Sequence, residues 1–215
     1  ILQSHRLMSE VVKRLHLTVN YSVREGLRTA DLYGRSPIEV DFINDNSKQK
    51  LSLEVTPLRN GKIELTDFED KFVTRQETKR VILAEYGDTV ATPVGQVVVH
   101  KTLFMDSTYL KKPITVIKNS LAATTNAYRA AVKSDVANKQ ASIVTISMNN
   151  SVPRRAEDVI NTLIAVYEED AIADKRQLSV VTADFIKERM QVIGRELGDV
   201  DRDIEDIKKS NKMID

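Results

Sequence analysis

The residues of this chain whose types could do chemistry are three histidines, a run of aspartates, one Gly-Lys pair and two adjacent arginines. His5 and His16 lie on or beside an apolar-periodic opening segment, and His100 ends a valine run. None has a ligand or nucleophile partner at a telling spacing. "DVDRD", residues 199–203, resembles the start of a calcium loop. The glycine that such a loop requires would fall at Ile204 and the bidentate glutamate at Ser210, so the match fails. A phosphate loop needs a glycine-flanked turn ending in Gly-Lys-Ser/Thr; Gly61-Lys62 runs on into Ile63 without a partner glycine. Cysteine is absent, which removes disulfides, thiolate metal sites and cysteine nucleophiles. No catalytic, metal-binding or cofactor-binding residue is expected, and no cofactor.

The arginines pose a different question. "NNSVPRRAEDVINTLIAVYEED", residues 149–170, follows the β-rich run "ASIVTISM" and opens a helix on Arg154 and Arg155. The start of a helix carries partial positive charge, so arginine has the wrong sign there. The simpler expectation is that Glu157 and Asp158 offset them while solvent screens the rest. The functional alternative is an anionic contact, with carboxylates of a neighbouring subunit or an acidic glycan, which guanidinium groups meet in bidentate fashion.

The elements that position these residues follow from hydrophobic period. Leu7, Met8, Val11, Val12 and Leu15 sit at helical spacing. A polar connection follows, through Gly26 and "LYGRSP". The period then drops to two in "IEVDFI" and "LSLEVT", and Ile63 with Leu65, Val81 with Leu83, and Val97 with Val99 continue it between turn signals. These five or six short strands predict an antiparallel sandwich or barrel-like unit over about 38–105. "PITVIK" reads as a further strand, "SLAATTNAYRAA" as a helix, and "VKSDVANKQASIVTISM" as a hairpin turning near Asn138-Lys139. From Ser151, a sensible N-cap, almost everything is helical. Ala156, Ile160, Leu163 and Tyr167 form a stripe that Val159 and Val166 widen, and a break or weak point is expected near 177–181.

The last helical segment carries a 3-4 spacing through Ile186, Met190, Ile193, Leu197, Val200, Ile204, Ile207, Asn211 and Ile214. Only Asn211 is polar among them, so the run reads either as a coiled-coil seam with one register-setting asparagine or as an ordinary amphipathic helix packed within the domain. The fold class expected is α+β: an α/β base formed by 1–37 with 113–180, an inserted antiparallel β unit at 38–112, and a long, truncated helix at 181–215.

Composition narrows the function. The 32 basic and 31 acidic residues give a net charge of +1, and tryptophan is absent. That balance lacks the basic excess of a nucleic-acid binder. The chain starts at Ile1, contains no apolar run of about 18 residues, and ends inside a helical pattern. A segment of a longer protein is therefore expected.

Two stretches then carry a resemblance. The first is strand, polar turn, Pro153, Ala156, Ile160, Asn161, Leu163 and Tyr167, followed by Thr182, Phe185, Ile186 and Arg189. The second is "ILQSHRLMSEVVKRLHL" with Ser4, Val11, Val12, Leu15 and Leu17. In this order they resemble the Wzz-type chain-length determinants, and "DLYGRSPIEVDF" resembles the segment of members fused to a bacterial tyrosine autokinase. The likeness covers 1–43 and 113–215; the middle β unit is longer than in the simplest members and is similar to the capsule-type insert.

The resemblance implies a periplasmic domain of an inner-membrane protein anchored by two transmembrane helices outside this segment. It implies a homo-oligomeric scaffold that sets the length of O-antigen, capsular polysaccharide or exopolysaccharide and catalyses nothing in the periplasm. The partners implied are the polysaccharide polymerase and an outer-membrane exporter, with nascent polysaccharide as a further candidate. Pro153, Ala156, Asn161, Tyr167, Phe185 and Arg189 would then define the fold rather than touch substrate. The competing readings are the periplasmic half of a tyrosine autokinase and the adaptor of an efflux or secretion pump. The adaptor would require two lipoyl-like half-motifs, and none is visible.

Overall fold

The computed structural model of the chain describes residues 4–43, 49–138 and 141–212, with the side chains of 136–138, 141–142, 199, 201 and 205–212 outside that description. It is an α+β protein that divides into two units, Ile1–Val166 and Tyr167–Asp215.

The first unit opens with α1 (His5–Arg14), which buries Leu7, Met8, Val11 and Val12 on one face. Two strands follow where a polar connection is expected from sequence: β1 (Val19–Glu25) and β2 (Arg28–Asp31). They pair as a hairpin around Gly26 and Leu27. Gly26 adopts φ +63°, a left-handed conformation that glycine takes without Cβ strain. The strand signal lies in Val19, Tyr21 and Val23, which alternate with polar residues.

Then come β3 (Ile38–Ile43), β4 (Leu51–Pro57), β5 (Lys62–Glu69), the short helix α2 (Arg75–Thr78), β6 (Ile82–Glu85), β7 (Thr89–Thr92), β8 (Gly95–Lys101) and β9 (Ile114–Lys118). All pair antiparallel, in a six-stranded sheet ordered β2-β1-β9-β4-β5-β6 and a three-stranded sheet ordered β3-β8-β7. Both sheets feed one core. Ile38, Val40, Val97 and Val99 come from the smaller sheet, and Leu53, Val55, Ile63, Leu65, Ile114 and Val116 from the larger. Removing each such side chain from water contributes about 1.5–3 kcal/mol, so this core holds the two sheets face to face. Tyr21 adds a polar tie between them, its hydroxyl accepting the Val40 N–H at 2.9 Å. Burial pushes that hydroxyl up to about 12.

Two expectations shift here. The boundary drawn at residue 38 cuts across the larger sheet, because β1 and β2 hydrogen-bond through β9 to β4. The β unit therefore takes in 19–118. In β6 the register differs by one residue from the expected alternation: Val81 and Leu83 are exposed, whereas Ile82 and Ala84 pack on the core. β6 is an edge strand, and its partner β5 places Ile63 opposite Ala84 and Leu65 opposite Ile82, which fixes the inward pair.

A second core belongs to the helices. α3 (Leu121–Ala131), capped by the Ser120 hydroxyl on Ala123 N–H at 3.2 Å, packs on α1. β10 (Val132–Asn138) and β11 (Ala141–Met148) form a separate hairpin; the turn expected at 138–139 falls partly outside the described residues. Leu7, Met8, Val11, Val12 and Leu17 meet Val132 and the first turns of α4 (Pro153–Lys212) at Val159, Leu163 and Val166.

Helix α4 begins differently from the sequence expectation. Its first carbonyl acceptor is Val152, which receives Ala156 N–H, so Ser151 lies one residue outside the cap. Pro153 takes the first helical position, where its missing N–H costs nothing. The break expected near 177–181 does not occur: α4 is one helix over Pro153–Lys212. That stretch has no proline or glycine, and the Ser179 and Thr182 hydroxyls donate back to the carbonyls of Lys175 and Leu178 at 2.9 and 2.8 Å. They serve the existing helix instead of capping a new one. Among the described residues no helix is long and apolar enough to cross a membrane.

Candidate functional site

Arg155 is not the screened surface charge that the sequence suggests. It is buried, with 7% exposure, because it stands four residues before Val159 on the stripe Arg155, Val159, Leu163, Val166 that faces inward. The expected stripe through Ala156, Ile160 and Tyr167 is rotated from this one: Ala156 and Ile160 are half-buried and Tyr167 is exposed. A guanidinium placed inside must be neutralised, and the end of β2 does this. Asp31 Oδ1 lies 2.8 Å from Arg155 Nη2 and also accepts the Tyr33 N–H at 2.9 Å. The Tyr33 ring sits beneath the guanidinium, 4.6 Å from its centre.

One turn further along α4, Asp158 Oδ2 accepts the Tyr33 hydroxyl at 2.9 Å. Burial, reinforced by that bond to Asp158, pushes the Tyr33 hydroxyl up to about 12. Asp158 thus holds Tyr33, and Asp31 takes the part expected of the helix's own acidic residues. Two positions on α4, the last residue of β2 and Tyr33 just after it form a closed clamp between the helical core and the β core.

Arg154 behaves otherwise. It is exposed and forms no ion pair among the described residues. Its guanidinium lies over Gly34, whose φ is +68°; a Cβ there would stand 3.8–3.9 Å from it. The turn "DLYGRSP" is held closed from the other side. Ser36 Oγ donates to the Ile38 carbonyl at 2.6 Å, and Thr102 Oγ1 donates to the Ser36 carbonyl at 2.6 Å.

Beside the clamp lies a cleft of about 400 Å³. Its polar lining includes Arg154, Arg155, Asp158, Glu39 and Asp41, and its aromatic lining Tyr21, Tyr33 and Phe104. Phe104 is half exposed. Asp41 meets His100 Nε2 at 3.3 Å. The Arg155 Nε atom is buried and makes no hydrogen bond among the described residues. Three carboxylates against two guanidiniums, one of them matched by Asp31, leave this cleft on the acidic side.

Sequence reasoning missed Asp31, Tyr33, Glu39 and Phe104 as site residues. The available signal was the helical offset of Arg155 from Val159, which marks an arginine on a buried face and therefore demands an acidic partner elsewhere.

The other residues singled out from sequence sit apart from this cleft. Pro153, Asn161, Tyr167, Phe185 and Arg189 are exposed and Ala156 is half-buried. Along α4 in the second unit, Ile186, Met190, Ile193, Leu197, Val200 and Ile204 are each between 44% and 68% exposed, so the apolar stripe has no cover among the described residues. Ile207 and Asn211 have side chains outside the description, and Ile214 lies outside the described residues. Among the described residues, no three His, Asp or Glu groups converge to hold a metal ion.

No family model and no curated protein matches this sequence.

Proposed function

We propose that this chain is the periplasmic, oligomer-forming part of an inner-membrane polysaccharide co-polymerase. It would set the length and assist the export of O-antigen, capsular polysaccharide or exopolysaccharide by scaffolding rather than catalysis. Its partners in this reading are further copies of itself, the polysaccharide polymerase and the outer-membrane exporter, with two membrane-spanning helices outside the segment. The observation that supports it is the second unit of α4. Six apolar residues at 3-4 spacing remain roughly half exposed on one helix, and a contiguous apolar stripe of that spacing suits pairing with another helix. The resemblance of the α4 and α1 motifs to Wzz-type proteins supplies the biological setting.

The kinase-linked variant of this reading draws on "DLYGRSPIEVDF". Incubating the intact protein with magnesium and labelled ATP separates it from a pure scaffold, since only the former labels itself. The test of the shared reading is genetic. Deleting the gene and restoring it should abolish and then recover the modal length of the surface polysaccharide on gels. An unchanged length distribution in the deletion strain would reject the proposal.

A further inference from the structure

We infer that the cleft beside Arg154 binds a neutral, polyhydroxylated ligand the size of one or two sugar residues. At about 400 Å³ it lies in the lower part of the range for small-molecule sites, and its lining selects by elimination. An anion would meet Glu39, Asp41 and Asp158, while only Arg154 offers uncommitted positive charge, because Arg155 is already matched by Asp31. A cation would meet two guanidiniums, and two of the three carboxylates are engaged, Asp41 with His100 and Asp158 with Tyr33.

Hydroxyl groups suit both kinds of wall at once. Each can donate to a carboxylate and accept from a guanidinium, and bonds to charged groups are the stronger ones. Arg155 stays with Asp31, its side chain 8% exposed and its Nε without exposed surface, so the hydroxyl contacts fall to Arg154 and the carboxylate walls. Phe104, half exposed at the cleft, offers an apolar surface to the C–H face of a pyranose ring. The inference goes beyond the scaffold role, which needs no bound sugar.

The experiment is a titration of the isotope-labelled 215-residue chain with methyl β-glucoside, N-acetylglucosamine and methyl rhamnoside, with glucuronate and glutamate as charged probes. At least one neutral sugar should give saturable shifts at the amides of Tyr33, Gly34, Glu39 and Arg154. Arg154→Ala and Glu39→Ala change exposed side chains, and each should weaken that binding about tenfold, the loss of one charge-assisted hydrogen bond, with unchanged melting temperature. Three results would overturn the inference: no saturable shifts from any neutral sugar, tighter binding of glucuronate or glutamate, or unaltered affinity in both variants. The titration uses the purified chain and the length assay uses cells, so either proposal can fail alone.

Discussion

Replacing Arg155 by alanine separates a clamp from a tolerated surface charge. The side chain is 8% exposed and its partner Asp31 is 29% exposed. Breaking a fully buried ion pair costs about 3–5 kcal/mol, because the surviving charge is stranded. Water reaches Asp31 here, so the ion-pair part falls to about 2 kcal/mol on the same reasoning. Loss of the stacking on Tyr33, 4.6 Å away, adds about 1 kcal/mol. The expected destabilisation is therefore about 3 kcal/mol, or about 6–12 °C in melting temperature for a domain of this size. Urea unfolding of wild type, Arg155→Ala, Asp31→Ala and the double variant measures both the cost and the coupling. The double variant should cost much less than the sum of the singles, since removing both partners strands no charge. A single Arg155→Ala cost within about 0.5 kcal/mol of zero, the surface-substitution range, would refute the clamp.

Three further outcomes follow from the same geometry. Tyr33 ionises near 10 when unfolded and is pushed up to about 12 in the fold, so the stability it contributes is complete below pH 10 and lost as pH rises through 12. Tyr33→Phe should make the alkaline fall in melting temperature shallower between those values and cost about 1 kcal/mol at neutral pH through the lost bond to Asp158. Burial raises the Glu54 carboxyl above its ordinary value of 4.5, so its contribution is present below that pH and lost as pH rises through the raised value. Glu54→Gln should leave neutral-pH stability equal or higher and flatten the melting-temperature profile just above 4.5. Gly34→Ala should cost about 1–2 kcal/mol in urea unfolding through its left-handed φ of +68°, with no steric part, because the Arg154 guanidinium stands at ordinary contact distance.

The sequence carried the periodic elements well, for a physical reason. α1, the strands β3, β4, β5 and β8, and the first turns of α4 each have one face in a core, so burial wrote the period into their residues. β1 and β2 were read as a connection because the two-residue turn at Gly26-Leu27 lacks the usual Asn-Gly or Asp-Gly signal, and arginines flank it. The Val81–Leu83 alternation misled because an edge strand permits apolar residues on its outer face. The clamp was the least legible part. Arg155 and Asp31 are 124 residues apart, and nothing local at either position names the other. What the local pattern did contain was the offset from Arg155 to Val159, which places a charge on an inward face. The 3-4 stripe was legible as spacing, and its residues stay about half exposed among the described residues.

The central claim, that the stripe on α4 assembles a scaffold controlling polysaccharide length, is tested most directly in cells. The measurement is the length distribution of surface polysaccharide made with the full-length protein carrying Ile193→Asp and Leu197→Asp, at wild-type protein levels. Both residues are about half exposed in the isolated chain, 47% and 61%, so the substitutions should leave the first unit folded while a charged pair in the seam prevents helix pairing. The modal length should be lost and short, unregulated chains should replace it. A distribution identical to wild type would mean that the stripe plays no part in length control.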